Sequence, residues 1–159
     1  MPSPDEFRSA MSRLPTGVTV VTAPGERGPS GLTANAVASL SLEPPLMLAC
    51  LDRGSRTLRE VEHSGRFGVN VLAADQEELA RRFATKREMH EKWDGIVWRE
   101  RDGIPAIDGT VASVACELRD VLAGGDHVIL TGKVLALDAG EGDPLVFYRG
   151  EYMGLGEVP

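Results

Sequence analysis

The sequence predicts a mainly β protein, an antiparallel barrel carrying a few peripheral helices. Three observations lead there. About six or seven segments have strand-like patterning and are joined by turns. About three short helical segments are inserted singly among them, with no repeating βαβ unit and no Gly-x-Gly-x-x-Gly fingerprint, so a doubly wound sheet is not expected. Glycine and proline are plentiful, 18 and 10 of 159 residues, as a fold rich in turns requires. That length suits a single domain over residues 1–159, long enough to bury a core without covalent staples.

The first element is a short helix. Ser3 can cap it, Pro4 suits its first position, and Glu6 completes a capping box. Phe7, Ala10, Met11 and Leu14 then share one face. Pro15 ends the helix, and the β-branched run from Gly17 to Ala23 reads as a strand. After a turn over Pro24 to Pro29, a long strand is expected from Ser30 to Leu42. Leu32, Ala34, Ala36, Ala38, Leu40 and Leu42 alternate there with Thr33, Asn35, Val37, Ser39 and Ser41.

Pro44-Pro45 breaks the chain, and Leu46 to Leu51 is a short apolar strand. Ser55 starts a second helix, with Leu58 and Val61 facing in and Gly65 near its end. Phe67 to Leu72 is again strand. Asp75 is expected to cap a third helix, with Glu78 as its capping-box partner and Leu79 and Phe83 as its buried stripe. Thr85 to Arg101 shows no clear period and reads as a surface excursion. Val111 to Leu122 is a strand with Ala112, Val114, Cys116 and Leu118 inward, and His127 to Leu137 follows the hairpin signal Gly124-Gly125-Asp126. Pro144 to Met153 is the last expected strand.

The net charge of −7 disfavours nucleic-acid backbones and anionic membranes as partners. Cys50 and Cys116 are far apart in apolar runs and read as two buried thiols rather than a disulfide or metal site. No apolar run approaches the ~20 residues needed to span a bilayer. The N-terminus lacks the pattern of a secretory signal, so a cytoplasmic protein is expected.

Five clusters could carry chemistry. Thr33, Asn35, Ser39 and Ser41 put an amide and hydroxyls between small alanines on one strand face. Asn35 offers both a donor and an acceptor, matching the carbonyl and N–H edge of a flavin ring. A solvated outer face has the same pattern. Asp52-Arg53-Gly54-Ser55-Arg56-Thr57 feeds hydroxyls and a cation into a helix start, which suits a phosphate or an ordinary serine cap. Arg81-Arg82-Phe83 sets a cation beside an aromatic at a helix end. His127 follows a flexible turn, as a cofactor's hydrogen-bond donor or as a plain surface residue. Tyr148-Arg149-Gly150-Glu151-Tyr152 could clamp a nucleotide or form a mixed edge strand. No nucleophile elbow, Walker loop or zinc spacing is present.

In this order the segments resemble the short-chain flavin reductase family, the small components of two-component monooxygenases. Pro15-Thr16-Gly17-Val18-Thr19-Val20-Val21-Thr22 is similar to its opening strand, and Gly31-Leu32-Thr33-Ala34-Asn35-Ala36 is the most specific motif. Pro44-Pro45-Leu46, Cys50-Leu51-Asp52 and Ser55-Arg56-Thr57 follow. Phe67 to Leu72, Ala80-Arg81-Arg82-Phe83, Gly125-Asp126-His127 and Tyr148 to Tyr152 complete the match.

The resemblance implies a split β-barrel of Greek-key type, built as a homodimer with FMN or FAD near the subunit interface. By the same resemblance Thr33, Ala34, Asn35, Ala36 and Ser39 line the flavin ring, and Cys50, Leu51 and Asp52 add backbone contacts. Ser55, Arg56 and Thr57 hold the phosphate, with Arg82 and Phe83 beside it. His127, Tyr148, Arg149, Gly150 and Tyr152 meet NADH or NADPH, with His127 as the catalytic candidate. Only seven residues follow Tyr152, so no tail is expected to fold over the nucleotide. The implied activity is hydride transfer from NAD(P)H to flavin, with reduced flavin passing to a separate oxygenase. The cofactors carry that chemistry, so no protein nucleophile is needed. The alternatives are a flavin-binding protein of this fold without NAD(P)H-dependent turnover, whether carrier or oxidase relative, and a dimeric barrel without cofactor.

Overall fold

The computed structural model describes residues 1–156. Helix α1 (Pro4–Met11) is built as its sequence dictates. Ser3 Oγ accepts from the Glu6 N–H, Glu6 returns a bond to the Ser3 N–H, and Pro4 sits at the helix start. None of its residues is buried, and Phe7 is 63% exposed. The apolar face read from the sequence is therefore turned outward.

Strands β1 (Thr16–Gly17) and β2 (Thr19–Ala23) follow, and every β2 residue is buried. β3 (Ser30–Ala34) returns antiparallel along β2. The single strand expected from Ser30 to Leu42 is instead two, because the chain leaves regular pairing at Asn35–Ala36 and resumes as β4 (Val37–Leu42). β4 pairs with β5 (Pro45–Asp52), not with β2. The break also reverses the phase of the side chains. Leu32 and Ala34 face the core before it and Val37 after it, leaving Leu40 and Leu42 exposed.

Helix α2 (Arg56–Ser64) is capped by Ser55, whose Oγ accepts from the Leu58 N–H, and ends at Gly65 in the left-handed region with φ 69°. Leu58 and Val61 are buried as their spacing requires. β6 (Arg66–Val71) enters the sheet between β2 and β9 (Ala112–Gly124). Two connecting segments differ from expectation. Helix α3 (Glu77–Phe83) begins two residues after Asp75, and Gln76 occupies the cap position. Gln76 Oε1 instead accepts from the Ala73 N–H, while Nε2 donates to the Asp108 carbonyl. The presumed surface excursion contains helix α4 (Met89–Trp93) and strand β7 (Trp98–Arg101), which pairs with β8 (Ile104–Ile107). Trp93 is only 8% exposed and meets Phe83 edge-on at 5.1 Å. An aromatic anchor, rather than a regular period, holds this stretch to the core.

β9 and β10 (His127–Ala139) form a long hairpin closed by Gly125-Asp126, with Gly125 at φ 74°. Ser113, Ala115 and Cys116 are the buried residues of β9, whereas Val114 and Leu118, expected inward, are only partly buried but pack on the same core. The strand expected over Pro144 to Met153 is a small hairpin, β11 (Val146–Tyr148) and β12 (Glu151–Met153). It turns at Arg149-Gly150, which have φ 50° and 80°. With β1 it makes a separate three-stranded sheet.

The main sheet has seven strands in the order β3-β2-β6-β9-β10-β5-β4, all antiparallel. β3 and β4 lie at its opposite margins, yet only Asn35 and Ala36 separate them. The sheet therefore curls so that its margins come together at this linker without pairing. The Cys50 N–H donates to the Ala36 carbonyl at 2.8 Å, extending the β4–β5 pairing into this linker. This is a split barrel of Greek-key type. Its interior is filled by Val21, Leu51, Phe67, Val69, Cys116 and Leu130, with α2 packed against it. A second core of Val18, Val20, Leu72, Phe83, Trp93 and Leu145 lies under α3 and α4.

Candidate functional site

The barrel seam carries Ala34, Asn35, Ala36 and Ser39 of the residues singled out from sequence. Asn35, Ala36 and Ser39 are exposed, and Ala34 is buried just before them. Neither the Asn35 amide nor the Ser39 hydroxyl has a hydrogen-bond partner among the described residues, so both are free for a ligand. Thr33 is differently placed: its hydroxyl donates to the Ala80 carbonyl at 2.6 Å and ties β3 to α3.

Beside the seam, β5 delivers Cys50, Leu51 and Asp52. Leu51 is fully buried and Cys50 half-buried. Asp52 Oδ1 accepts from the Gly54 N–H at 2.6 Å, and the Asp52 carbonyl accepts from the Ser55 N–H at 3.1 Å. These bonds shape the turn into α2. The sheet register sets His127 directly opposite Asp52. Arg53 reinforces the junction, its backbone N–H donating to the Asp126 carbonyl and its Nε to the His127 carbonyl. His127 Nδ1 lies 2.7 Å from Asp126 Oδ1. That hydrogen bond, with the imidazole's charge, holds the Asp126 carboxyl below its usual range.

At the α2 start Ser55 serves as the cap. Arg56 pairs with Glu88 Oε2 at 3.1 Å and also donates to the Arg87 carbonyl. Thr57 is fully buried, and its hydroxyl is 2.9 Å from that of Ser30. Arg82 pairs with Glu78 at 2.7 Å and donates to the Asp94 carbonyl. Phe83 is 1% exposed and belongs to the second core. Of the residues expected around a phosphate, the structure thus leaves Ser55, Arg56 and Arg82 at accessible positions and turns Thr57 and Phe83 inward.

Tyr148, Arg149, Gly150 and Tyr152 lie on the three-stranded sheet, apart from the sheet that carries His127. The Arg149 guanidinium sits over the Tyr148 ring at 5.3 Å, and that of Arg81 over Tyr152 at 5.0 Å. Burial raises the Tyr152 hydroxyl above its ordinary value, the nearby Arg81 opposing the shift.

Sequence reasoning missed Glu88 and Lys92. Lys92 is 4% exposed, and its Nζ donates to the Phe83 carbonyl at 3.3 Å. The available signal was the pair Glu88 and Glu91, which reciprocally cap α4.

A free amide and hydroxyl at a strand break, beside a helix start lined by arginines, suit a planar heterocycle with an anionic tail. Fold and site together are those of a small barrel suited to a flavin-like cofactor. The sequence matches the family described as "Flavin reductase like domain" over residues 11–156, and the chain belongs to that family. It is 41% identical over 156 residues to the flavin-dependent monooxygenase reductase subunit HsaB of Mycobacterium tuberculosis (strain CDC 1551 / Oshkosh), covering 96% of this chain and 82% of that protein. It is 39% identical to FMN reductase (NADH) SmoA of Agrobacterium fabrum, covering 92% and 83%. Among solved structures, a nitrilotriacetate monooxygenase component B homolog from Mycobacterium thermoresistibile superposes with a TM-score of 0.91 at 40% identity, covering 98% of this chain and 89% of that one. The flavin reductase PheA2 superposes at 0.90 with 32% identity, covering 98% and 100%.

Proposed function

We propose that this protein is an NADH-dependent flavin reductase that reduces FMN or FAD and supplies it to a separate monooxygenase. The observation that carries this reading is the family match over residues 11–156, with Asn35 and Ser39 left without a hydrogen-bond partner among the described residues beside the α2 arginines. The flavin, when bound, supplies the redox chemistry. The chain binds the ring edge through Asn35, Ser39 and seam backbone, and the anionic tail through Ser55, Arg56 and Arg82. His127, oriented by Asp126, faces the nicotinamide nucleotide together with the Tyr148–Tyr152 turn.

Residues 1–159 act as one domain. Two copies pair, covering Leu40 and Leu42 of β4 and Leu135 and Leu137 of β10, all exposed in the single chain. Such a pairing offers a way to bring the Tyr148–Tyr152 turn of one protomer to the His127 of the other. Two unpaired thiols suit a reducing, cytoplasmic setting. No helix among the described residues is long and apolar enough to cross a membrane.

The test is anaerobic mixing of the purified protein with flavin and NADH, following flavin absorbance. Bleaching at a rate proportional to protein concentration is expected; no bleaching above the protein-free control with either FMN or FAD would overturn the reading.

A further inference from the structure

The β9–β10 hairpin tip carries His127 without the support of a core. Residues 119–127 are all exposed, so hydrogen bonds rather than buried side chains fix where the tip stands. In the sheet His127 lies between Gly124 of β9 and Asp52 of β5. Outside that ladder, the Arg53 N–H donates to the Asp126 carbonyl at 3.1 Å. Arg53 Nε adds a longer bond of 3.4 Å to the His127 carbonyl. The Arg53 charge also acts, after the larger effect of His127, on the Asp126 carboxylate that orients the imidazole.

Arg53 belongs equally to the turn that opens α2. The Ser55 N–H closes this turn onto the Asp52 carbonyl at 3.1 Å, and Asp52 Oδ1 accepts from the Gly54 N–H at 2.6 Å. Ser55 then caps the helix. An anion held at Ser55 and Arg56 attracts the N–H groups of the helix start and the guanidinium beside them. A turn closed by its own bonds moves as one piece, so Arg53 carries any such shift to the tip.

We propose that Arg53 is a positioning residue, whose backbone N–H couples an anion at the α2 start to the placement of His127. The coupling is a free energy shared by two sites, so each end responds to the other. It rests on the flavin reductase reading, which puts a phosphate at one end and the nicotinamide nucleotide at the other.

The probe is inorganic phosphate, which lacks the flavin ring and its direct effect on nearby resonances. The chain has 3 histidines, so the His127 ring signal is assigned with His127→Ala and followed by NMR at fixed pH and ionic strength. The Ser55 and Arg56 amide signals are followed beside it. In the wild type all three should move along one saturation curve. Arg53→Pro removes the donor N–H, and proline suits the second position of such a turn; Arg53→Ala keeps the N–H. Phosphate should still move the Ser55 and Arg56 signals in both variants. The His127 response should persist in Arg53→Ala and fall at least about fivefold in Arg53→Pro, as the loss of one backbone hydrogen bond implies. In anaerobic turnover with FMN, Arg53→Pro should raise the KM for NADH by a similar factor. An unchanged His127 response or an unchanged KM in Arg53→Pro would overturn the proposal. So would a wild-type His127 signal that ignores phosphate while Ser55 and Arg56 respond, and in that case the reductase reading stands. Silence of all three signals would remove the phosphate placement and the coupling together. If Arg53→Pro does not fold, amide exchange in the wild type decides: phosphate should slow exchange of the Arg53 N–H, and an unaltered rate refutes the coupling.

Discussion

At the scale of single residues, His127 and Lys92 make separable predictions. His127 is held by the neighbouring Asp126 carboxylate and by strand pairing opposite Asp52. It makes no hydrogen bond or ion pair with Ser55, Arg56 or Arg82. His127→Ala should therefore slow flavin reduction by about tenfold or more while moving the flavin dissociation constant less than about threefold. Stopped-flow reduction beside a fluorescence titration separates the two, and equal losses in both would refute the assignment. Lys92 is buried, and burial, helped by the charge of Arg56, holds its ammonium below the ordinary 10.5. The unfolded chain then binds that proton more tightly than the folded one. Stability should accordingly rise with pH between the lowered value and 10.5. Lys92→Met should flatten that rise, as read from urea unfolding of both proteins across an alkaline pH series. Neither Lys92 nor the inward turn of Thr57 was legible in the sequence. A lysine in a charged segment reads as solvated, and a threonine after a serine cap reads as a phosphate ligand. What decides both is a neighbour remote in sequence, Phe83 for the lysine and Ser30 for the threonine.

The elements show which sequence signals carry structural information. Local chemistry located α1 through its capping box, α2 through Ser55 and Gly65, and the β9–β10 hairpin through its glycine turn. β-branched and apolar runs located β2, β5 and β6. Periodicity failed at Asn35–Ala36, because alternation continues through a break that only strand pairing reveals. It failed again at α4, which is five residues long and held by Trp93. Of the candidate site residues, Asn35, Ala36 and Ser39 stand exposed as their motif suggests, whereas Thr57 and Phe83 turn inward, which the motif does not reveal. Close packing within the sheet supports a further prediction. A Cβ on Gly132 of β10 would lie 2.5 Å from the Phe67 ring and 2.8 Å from Cys116 Cβ. Gly132→Ala should destabilise the fold by about 1–3 kcal/mol, the usual cost of overpacking a core. Chemical denaturation measures it, and an unchanged midpoint would show that Phe67 yields without strain.

For the molecule as a whole, the exposed leucines raise the question of assembly. Leu42 and Leu137 are 88% and 65% exposed, a burden that pairing of two copies would remove. The double variant Leu42→Glu/Leu137→Glu should run as a monomer in sedimentation velocity where the parent runs as a dimer. If the Tyr148–Tyr152 turn is shared across that interface, turnover should fall with it. A parent that sediments as a monomer would contradict this arrangement. The strand order has one more consequence. Strands at the two margins of the sheet are joined by only two residues, so the linker has no slack. Elsewhere a lengthened loop bulges harmlessly into solvent. At Asn35–Ala36 extra residues would let the cylinder gape, and the place where it gaped would be the mouth of the proposed binding site. Evolution can thus vary the hairpin tips of this protein freely, but a codon inserted here loosens architecture and ligand grip in a single step.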